Sequence, residues 1–264
     1  MNRSFGMGLG GHSFIEALGS DPLASFEEQC AIVAACLDNG IAVIDTTYYQ
    51  ERVALGRVLE QLGRRDEAHI MAWNFFKPAV ESDELPGPTP YEAEHIDIML
   101  EELGTNRIDT LVIHVHNDRS RFGQELKLAQ EWLSAGKIKR VALGMARAED
   151  LKGLPDKHPV SCVLAPYNAF NLGAEEVFKL ARTAGMEVLA LSPFIRGWKL
   201  EEIGEKENAP GILLRWVAQS TLVDKVIVSM RKPEYVRGNL QILKQGQLSI
   251  SEQERLVGWV NRFK

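Results

Sequence analysis

Eight short apolar or β-branched runs, each followed by a longer amphipathic stretch, recur along this chain, and that alternation restricts its fold more than any other feature. The runs are FGMGLG (5–10), IAVID (41–45), HIMAW (69–73), DTLVIH (109–114), RVALG (140–144), SCVLA (161–165), MEVLAL (186–191) and KVIVS (225–229). A strand that is followed by a helix returns parallel to its neighbour, so eight such units predict an α/β fold, the closed (β/α)8 TIM barrel. A chain of 264 residues without a low-complexity linker suits a single barrel domain over residues 1–264.

The helix signals agree with this frame. Ser25 and Glu28 form a capping pair ahead of CAIVAACLDNG, and Asn39-Gly40 supplies the stop before the second run. Ile96, Met99, Leu100 and Leu103 recur at spacings of three and four, on one helical face. The net charge of −6, without a long run of Lys or Arg, gives no electrostatic footprint for nucleic acid. MNRSFGMGLGG lacks an apolar core of signal-peptide length, and no uninterrupted apolar run approaches the roughly 18 residues of a membrane helix, so a soluble cytoplasmic protein is expected. Cys30, Cys36 and Cys162 are odd in number and lie in apolar stretches, as reduced core thiols do, rather than as a disulfide frame or zinc site.

In such a barrel the functional groups gather at the carboxyl ends of the strands and in the loops that follow. The second run ends in Asp45 and continues through Thr46, Thr47, Tyr48, Tyr49, Gln50 and Glu51. The fourth ends at His114, followed by His116 and Asn117. His12 follows Gly10-Gly11 after the first run, where a pocket position and a satisfied surface position suit it equally. Trp73, Asn74 and His116 join His12 as substrate-pocket candidates, and packing is the plainer role for Phe75 and Phe76. His114 and His116 alternate on an extended segment and face opposite ways, so no metal site is expected. Pro78, Pro86, Pro88 and Pro90 stiffen the loop after the third run.

GIAVIDTTYYQERVALG together with RIDTLVIH resembles the aldo-keto reductase superfamily. Further similar stretches are GKIKRVALG (136–144), APYNAFN (165–171), ALSPFIRG (190–197), LLRWVAQ (213–219) and VIVSMRKPEYVRGNL (226–240). The resemblance implies a (β/α)8 barrel that uses NADP(H) to interconvert small carbonyl compounds and alcohols through an Asp, a Tyr, a Lys and a His. Asp45 and His114 match two of these directly. The tyrosine is Tyr48 or Tyr49, and Tyr49 is favoured because its following Gln-Glu resembles one branch of the family. For the cofactor, the resemblance implies Ser192 and Arg196 near the pyrophosphate, Arg231 and Lys232 near the adenosine 2′-phosphate, and Asn239 near the adenine.

Several positions depart from the family pattern. Trp73 stands at the lysine position, with Lys77, four residues on, the nearest lysine; Gly144-Met145, Leu164 and Leu191 replace the usual nicotinamide contacts. A tyrosine, with an ordinary pKa near 10, is a poorer proton donor at neutral pH without an adjacent cation. A carboxylate that loses its ammonium partner tends toward a raised pKa. Two enzyme readings follow: an NADP(H)-dependent oxidoreductase with an atypical active site, or a non-redox acid-base enzyme (a lyase, dehydratase or isomerase of hydroxycarbonyl compounds) that has lost the cofactor. A catalytically inactive binding protein on the same barrel is the third.

Overall fold

The computed structural model describes residues 5–18, 21–80, 84–115, 120–205 and 208–263. Each of the eight runs forms a strand: β1 (Gly6–Leu9), β2 (Val43–Tyr48), β3 (His69–Phe75), β4 (Thr110–His114), β5 (Val141–Gly144), β6 (Val160–Pro166), β7 (Glu187–Leu191) and β8 (Lys225–Val228). They close into a parallel barrel in chain order, with β8 returning to pair with β1. The helices that cover it are α1 (Phe26–Asp38), α2 (Tyr49–Leu62), α3 (His95–Glu102), α4 (Phe122–Ser134), α5 (Ala148–Lys152), α6 (Glu175–Thr183), α7 (Trp198–Ile203), α8 (Ala209–Ala218), α9 (Pro233–Lys244) and α10 (Ile250–Arg262).

Local signals set these boundaries. The Ser25 hydroxyl accepts from the Glu28 amide at 3.3 Å while the Glu28 carboxylate accepts from the Ser25 amide at 2.7 Å, which satisfies two amides at the start of α1. Gly40, with φ +76°, takes the left-handed turn that ends α1. Ile96 and Met99 are buried on α3, followed by buried Leu103, the face that the spacing predicts.

Strand alternation separates two apolar layers. Met71, Trp73, Val112, Ala142, Cys162, Leu164 and Leu189 pack inside the barrel, while Ile44, Ile70, Ala72, Leu111, Ile113 and Val163 pack outward beneath the helices. The Cys36 and Cys162 thiols are buried, and burial pushes each up to about 12. Among the described residues no helix is long and apolar enough to cross a membrane.

The two ends of the barrel differ in chemistry. At the amino ends of the strands Lys225 and Arg140 both pair with Glu187, and the Arg140 Nε donates to the Thr110 hydroxyl at 2.7 Å. At the carboxyl ends, β3 continues to Phe75, two residues beyond the apolar run. The fully buried Arg52 of α2 holds this extension, donating to the carbonyls of Trp73 at 2.9 Å and Phe75 at 3.0 Å while its Nε meets the Glu102 carboxylate at 2.5 Å. Trp73 and Phe75 are thereby presented inward at the mouth.

Candidate active site

A cavity of about 670 Å³ opens at the carboxyl ends of the strands, a volume typical of small-molecule sites. Asp45, Tyr48, Trp73, Phe75 and His114 line one end, and Ser192, Ser229, Arg231 and Asn239 line the other.

The Trp73 indole occupies the centre of the first end. It is 2% exposed, and its Nε1–H donates to the Asp45 carboxylate at 2.7 Å. Its six-membered ring lies over Gly144, close enough that a Cβ added there would overlap Cζ3 and Cη2 and stand 2.9 Å from Cε3. Trp73 and Gly144 are therefore one steric unit: the ring fills space that any side chain at 144 would claim. Asp45 itself is 5% exposed. Burial pushes its carboxyl up to about 7; the indole hydrogen bond opposes that rise, nearby Glu51 adds to it, and His12 opposes it.

Tyr48 lines the cavity, and Tyr49, the favoured sequence choice, does not; it opens α2 instead. The reason is a register shift between Thr46 and Tyr48 in the β2–β3 pairing. Thr47 lines the cavity as alternation from Asp45 predicts, and the shift sets Tyr48 opposite Phe75, with its ring 5.2 Å from the Phe75 ring and edge-on to it, so that Tyr48 lines the cavity as well. His114 lines the same wall, with its ring 6.1 Å from Trp73 and 5.5 Å from Phe75.

Asn74 is not a pocket residue. It is fully buried on the outward face of β3, where its amide donates to the Thr89 carbonyl at 2.6 Å and its oxygen accepts from the His114 amide at 2.9 Å. It fixes His114 by the backbone and ties down the proline-rich loop. His116 lies outside the described residues.

His12 does line the cavity, through an arrangement the sequence did not disclose. Its Nδ1 lies 2.8 Å from Oε1 of Glu51, a carboxylate with no solvent exposure. The second Glu51 oxygen accepts from the amides of Thr47 at 2.5 Å and Tyr48 at 3.2 Å. The His12 ring also stacks on Tyr48, with centroids 5.9 Å apart and planes 28° from parallel.

At the far end Ser192 lines the cavity with φ +54°, its carbonyl accepting from Asn168 at 2.9 Å. Arg231 lines the wall, but its guanidinium is turned onto the loop after β1: it donates to the carbonyls of His12 at 3.2 Å and Glu16 at 2.9 Å, and to those of Ile15 and Asp21. Lys232 is exposed and off the cavity, with its ammonium 5.6 Å from the Tyr235 ring centroid. Asn239 lines the cavity as expected, and the Arg196 side chain lies outside the described residues.

The model of the aldo/keto reductase family matches residues 7–211. This chain belongs to the aldo/keto reductase family. It is 24% identical over 185 residues to the aldo-keto reductase yakc [NADP(+)] of Schizosaccharomyces pombe, a match that covers 66% of this chain and 54% of the relative. The chain thus spans about half the length of that curated relative. Among solved structures it resembles aldo-keto reductase AKR11C1 from Bacillus halodurans in its holo form, with a TM-score of 0.77 at 18% identity over 96% of this chain and 91% of the other. It also resembles the glycerol dehydrogenase AKR11B4 from Gluconobacter oxydans, with a TM-score of 0.76 at 17% identity over 97% and 91% of the two chains. An aldo/keto reductase from Klebsiella pneumoniae in complex with NADP and acetate aligns with a TM-score of 0.71 at 20% identity, over 95% and 89%. These likenesses establish the barrel.

In this member of the family, Asp45, Tyr48, Trp73 and His114 line one cavity together with Ser192 and Asn239. Asn74, Tyr49 and Lys232 stand apart from it. The sequence places Glu51 in the cluster after Asp45 without giving it a role, and Arg52 draws no notice, because both look like ordinary polar residues of an exposed helix start. The available signal was their position: the first turn of α2 abuts the barrel mouth, where a carboxylate and a guanidinium meet unpaired backbone groups.

Proposed function

We propose that this chain is an NADP(H)-dependent oxidoreductase that interconverts small carbonyl compounds and alcohols at an atypical centre. The observation that carries the reading is the continuity of one cavity from Asp45, Tyr48 and His114 to Ser192, Ser229, Arg231 and Asn239. Hydroxyl, amide and guanidinium groups at its far end fit a phosphorylated dinucleotide, and Ser192, Arg231 and Asn239 would hold it. The bound dihydronicotinamide supplies a hydride to the carbonyl carbon.

The chain's own groups do the rest. Tyr48, on β2, would present its phenol O–H to the substrate oxygen, and His114, on β4 across the intervening β3, would orient that oxygen. Trp73, Phe75 and Leu191 exclude water from this end. Burial keeps the acidity of Asp45 near neutral, and the hydrogen bond from its indole partner opposes that rise only in part. Leu191 and Met145 offer no side-chain amide to a nicotinamide, and Arg231 must exchange loop carbonyls for a phosphate, so weak cofactor affinity is expected. Fluorescence titration with NADPH tests the reading: saturable binding supports it, and no binding at concentrations that saturate ordinary family members ends it.

A second reading, a non-redox acid-base enzyme, has one specific support in Asp45, whose carboxyl at about 7 can give or take a proton at neutral pH. It requires turnover of a hydroxycarbonyl compound without nicotinamide.

A further inference from the structure

We infer that His12, oriented by Glu51, is a second proton-transfer residue of the cavity, with Nε2 as the atom that meets the substrate oxygen; the inference rests on the carbonyl-alcohol reading above.

Three observations build it. Glu51 is fully buried, and its carboxylate is fixed by the Thr47 and Tyr48 amides on one oxygen and by His12 on the other. Gly11 makes the room: a Cβ there would overlap Oε2 of Glu51 and stand 2.6 Å from its Cδ and 2.9 Å from the Asp45 carbonyl. The His12 backbone is held in turn, since its carbonyl accepts from the Arg231 guanidinium at 3.2 Å. A histidine that only fills a surface needs none of these supports.

A carboxylate acceptor at Nδ1 places the neutral ring's proton on that nitrogen and leaves Nε2 basic. The His12 side chain remains 21% exposed in the cavity wall, so Nε2 is open to a ligand, beside the Tyr48 ring on which it stacks. Glu51, Tyr48 and Asp45 are the titratable groups that face it, with the Arg231 guanidinium behind its backbone. An imidazole both gives and takes a proton at Nε2 in general acid-base catalysis, so His12 supplies a proton-transfer group in a site without the family's lysine. In the reductive direction the carbonyl carbon gains the hydride of a dihydronicotinamide, and the oxygen gains the Nε2 proton of His12 in its doubly protonated form, whose Nδ1–H stays hydrogen-bonded to Glu51. Alcohol, oxidised nicotinamide and the neutral Nδ1–H imidazole result, and a proton from solvent restores the imidazolium. Oxidation is the reverse, with Nε2 accepting the hydroxyl proton.

The test pairs a resting-state spectrum with kinetics. Imidazole ¹⁵N NMR of the wild type and of Glu51→Gln, with His12→Asn for assignment, should show His12 protonated at Nδ1 and a loss of that preference in Glu51→Gln. An Nε2–H tautomer in the wild type overturns the inference. With NADPH and 4-nitrobenzaldehyde as probe, His12→Asn, which retains an amide donor for Glu51 but has no atom in place of Nε2, should lower kcat by about 100-fold with KM within about threefold. Retention of kcat within about threefold also overturns it. If the wild type oxidises no NADPH with the probe, the oxidoreductase reading suffers and the tautomer alone decides His12: Nδ1–H supports the inference, Nε2–H sinks it.

Discussion

The two ends of this barrel treat a buried carboxyl in opposite ways. At the amino end burial opposes ionisation of Glu187, yet Lys225 and Arg140 overcome it and hold the group below the ordinary carboxylate range. Asp109, 2% exposed, behaves alike: burial is outweighed by Lys139, the Ile70 amide and Arg65. At the carboxyl end Asp45 is desolvated more completely and has a neutral indole donor in place of a cation, and burial prevails. Depth of burial and the charge of the partner together set the charge state. One end is arranged to stay ionised and cross-link strands; the other keeps a carboxyl whose proton moves near neutrality.

The largest test of this contrast is Asp45→Asn. With a folded value near 7 against an unfolded value near 4, the folded protein binds more protons than the unfolded one between those limits. The stabilisation is therefore full below about pH 4 and is lost as pH rises through about 7, by an upper figure of roughly 4 kcal/mol. Urea unfolding across that window should show the wild type falling relative to Asp45→Asn as pH rises. A pH-independent gap between them would place Asp45 among ordinary carboxylates.

Next in size is Gly144→Ser, which drives a side chain into the Trp73 ring and should cost about 3 kcal/mol. Combining it with Trp73→Lys should recover at least about 1 kcal/mol relative to the sum of the single changes, since the clash disappears with the ring. Additive losses would separate the two positions. The double variant also introduces an ammonium at position 73, beside Asp45, and NADPH-dependent aldehyde reduction above that of the wild type would show that a cation there promotes the proposed chemistry.

The smallest expected effect is at the other end. Glu187→Gln leaves Lys225 and Arg140 without their shared anion, but these side chains remain 32% and 27% exposed. Water softens the loss to about 2 kcal/mol in urea melts, well short of a fully buried pair. Activity should be unaffected.

What could be read in advance followed from period and punctuation. Eight apolar runs, the Ser25–Glu28 cap and the Gly40 stop all rest on local chemistry, and the barrel reproduces them. The cavity lining was legible where it follows alternation from a strand end, as for Asp45 and Trp73. Between Tyr48 and Tyr49 the sequence favours the one that does not line the cavity, because the register shift that sets Tyr48 opposite Phe75 leaves no mark in composition or spacing. Asn74 is a different case: strand parity already set it on the opposite face from Trp73. Arg231 reads as a phosphate ligand in sequence, and only the folded course of the β1–α1 loop reveals the carbonyls that occupy it.

The interlock of Trp73 with Gly144 also constrains the order in which the two positions can change. With the indole at 73, any side chain at 144 overlaps the ring, whereas with a smaller residue at 73 the glycine leaves only a small void. Variation of 144 alone is therefore held to glycine, and other residues become acceptable there only once the indole has been removed.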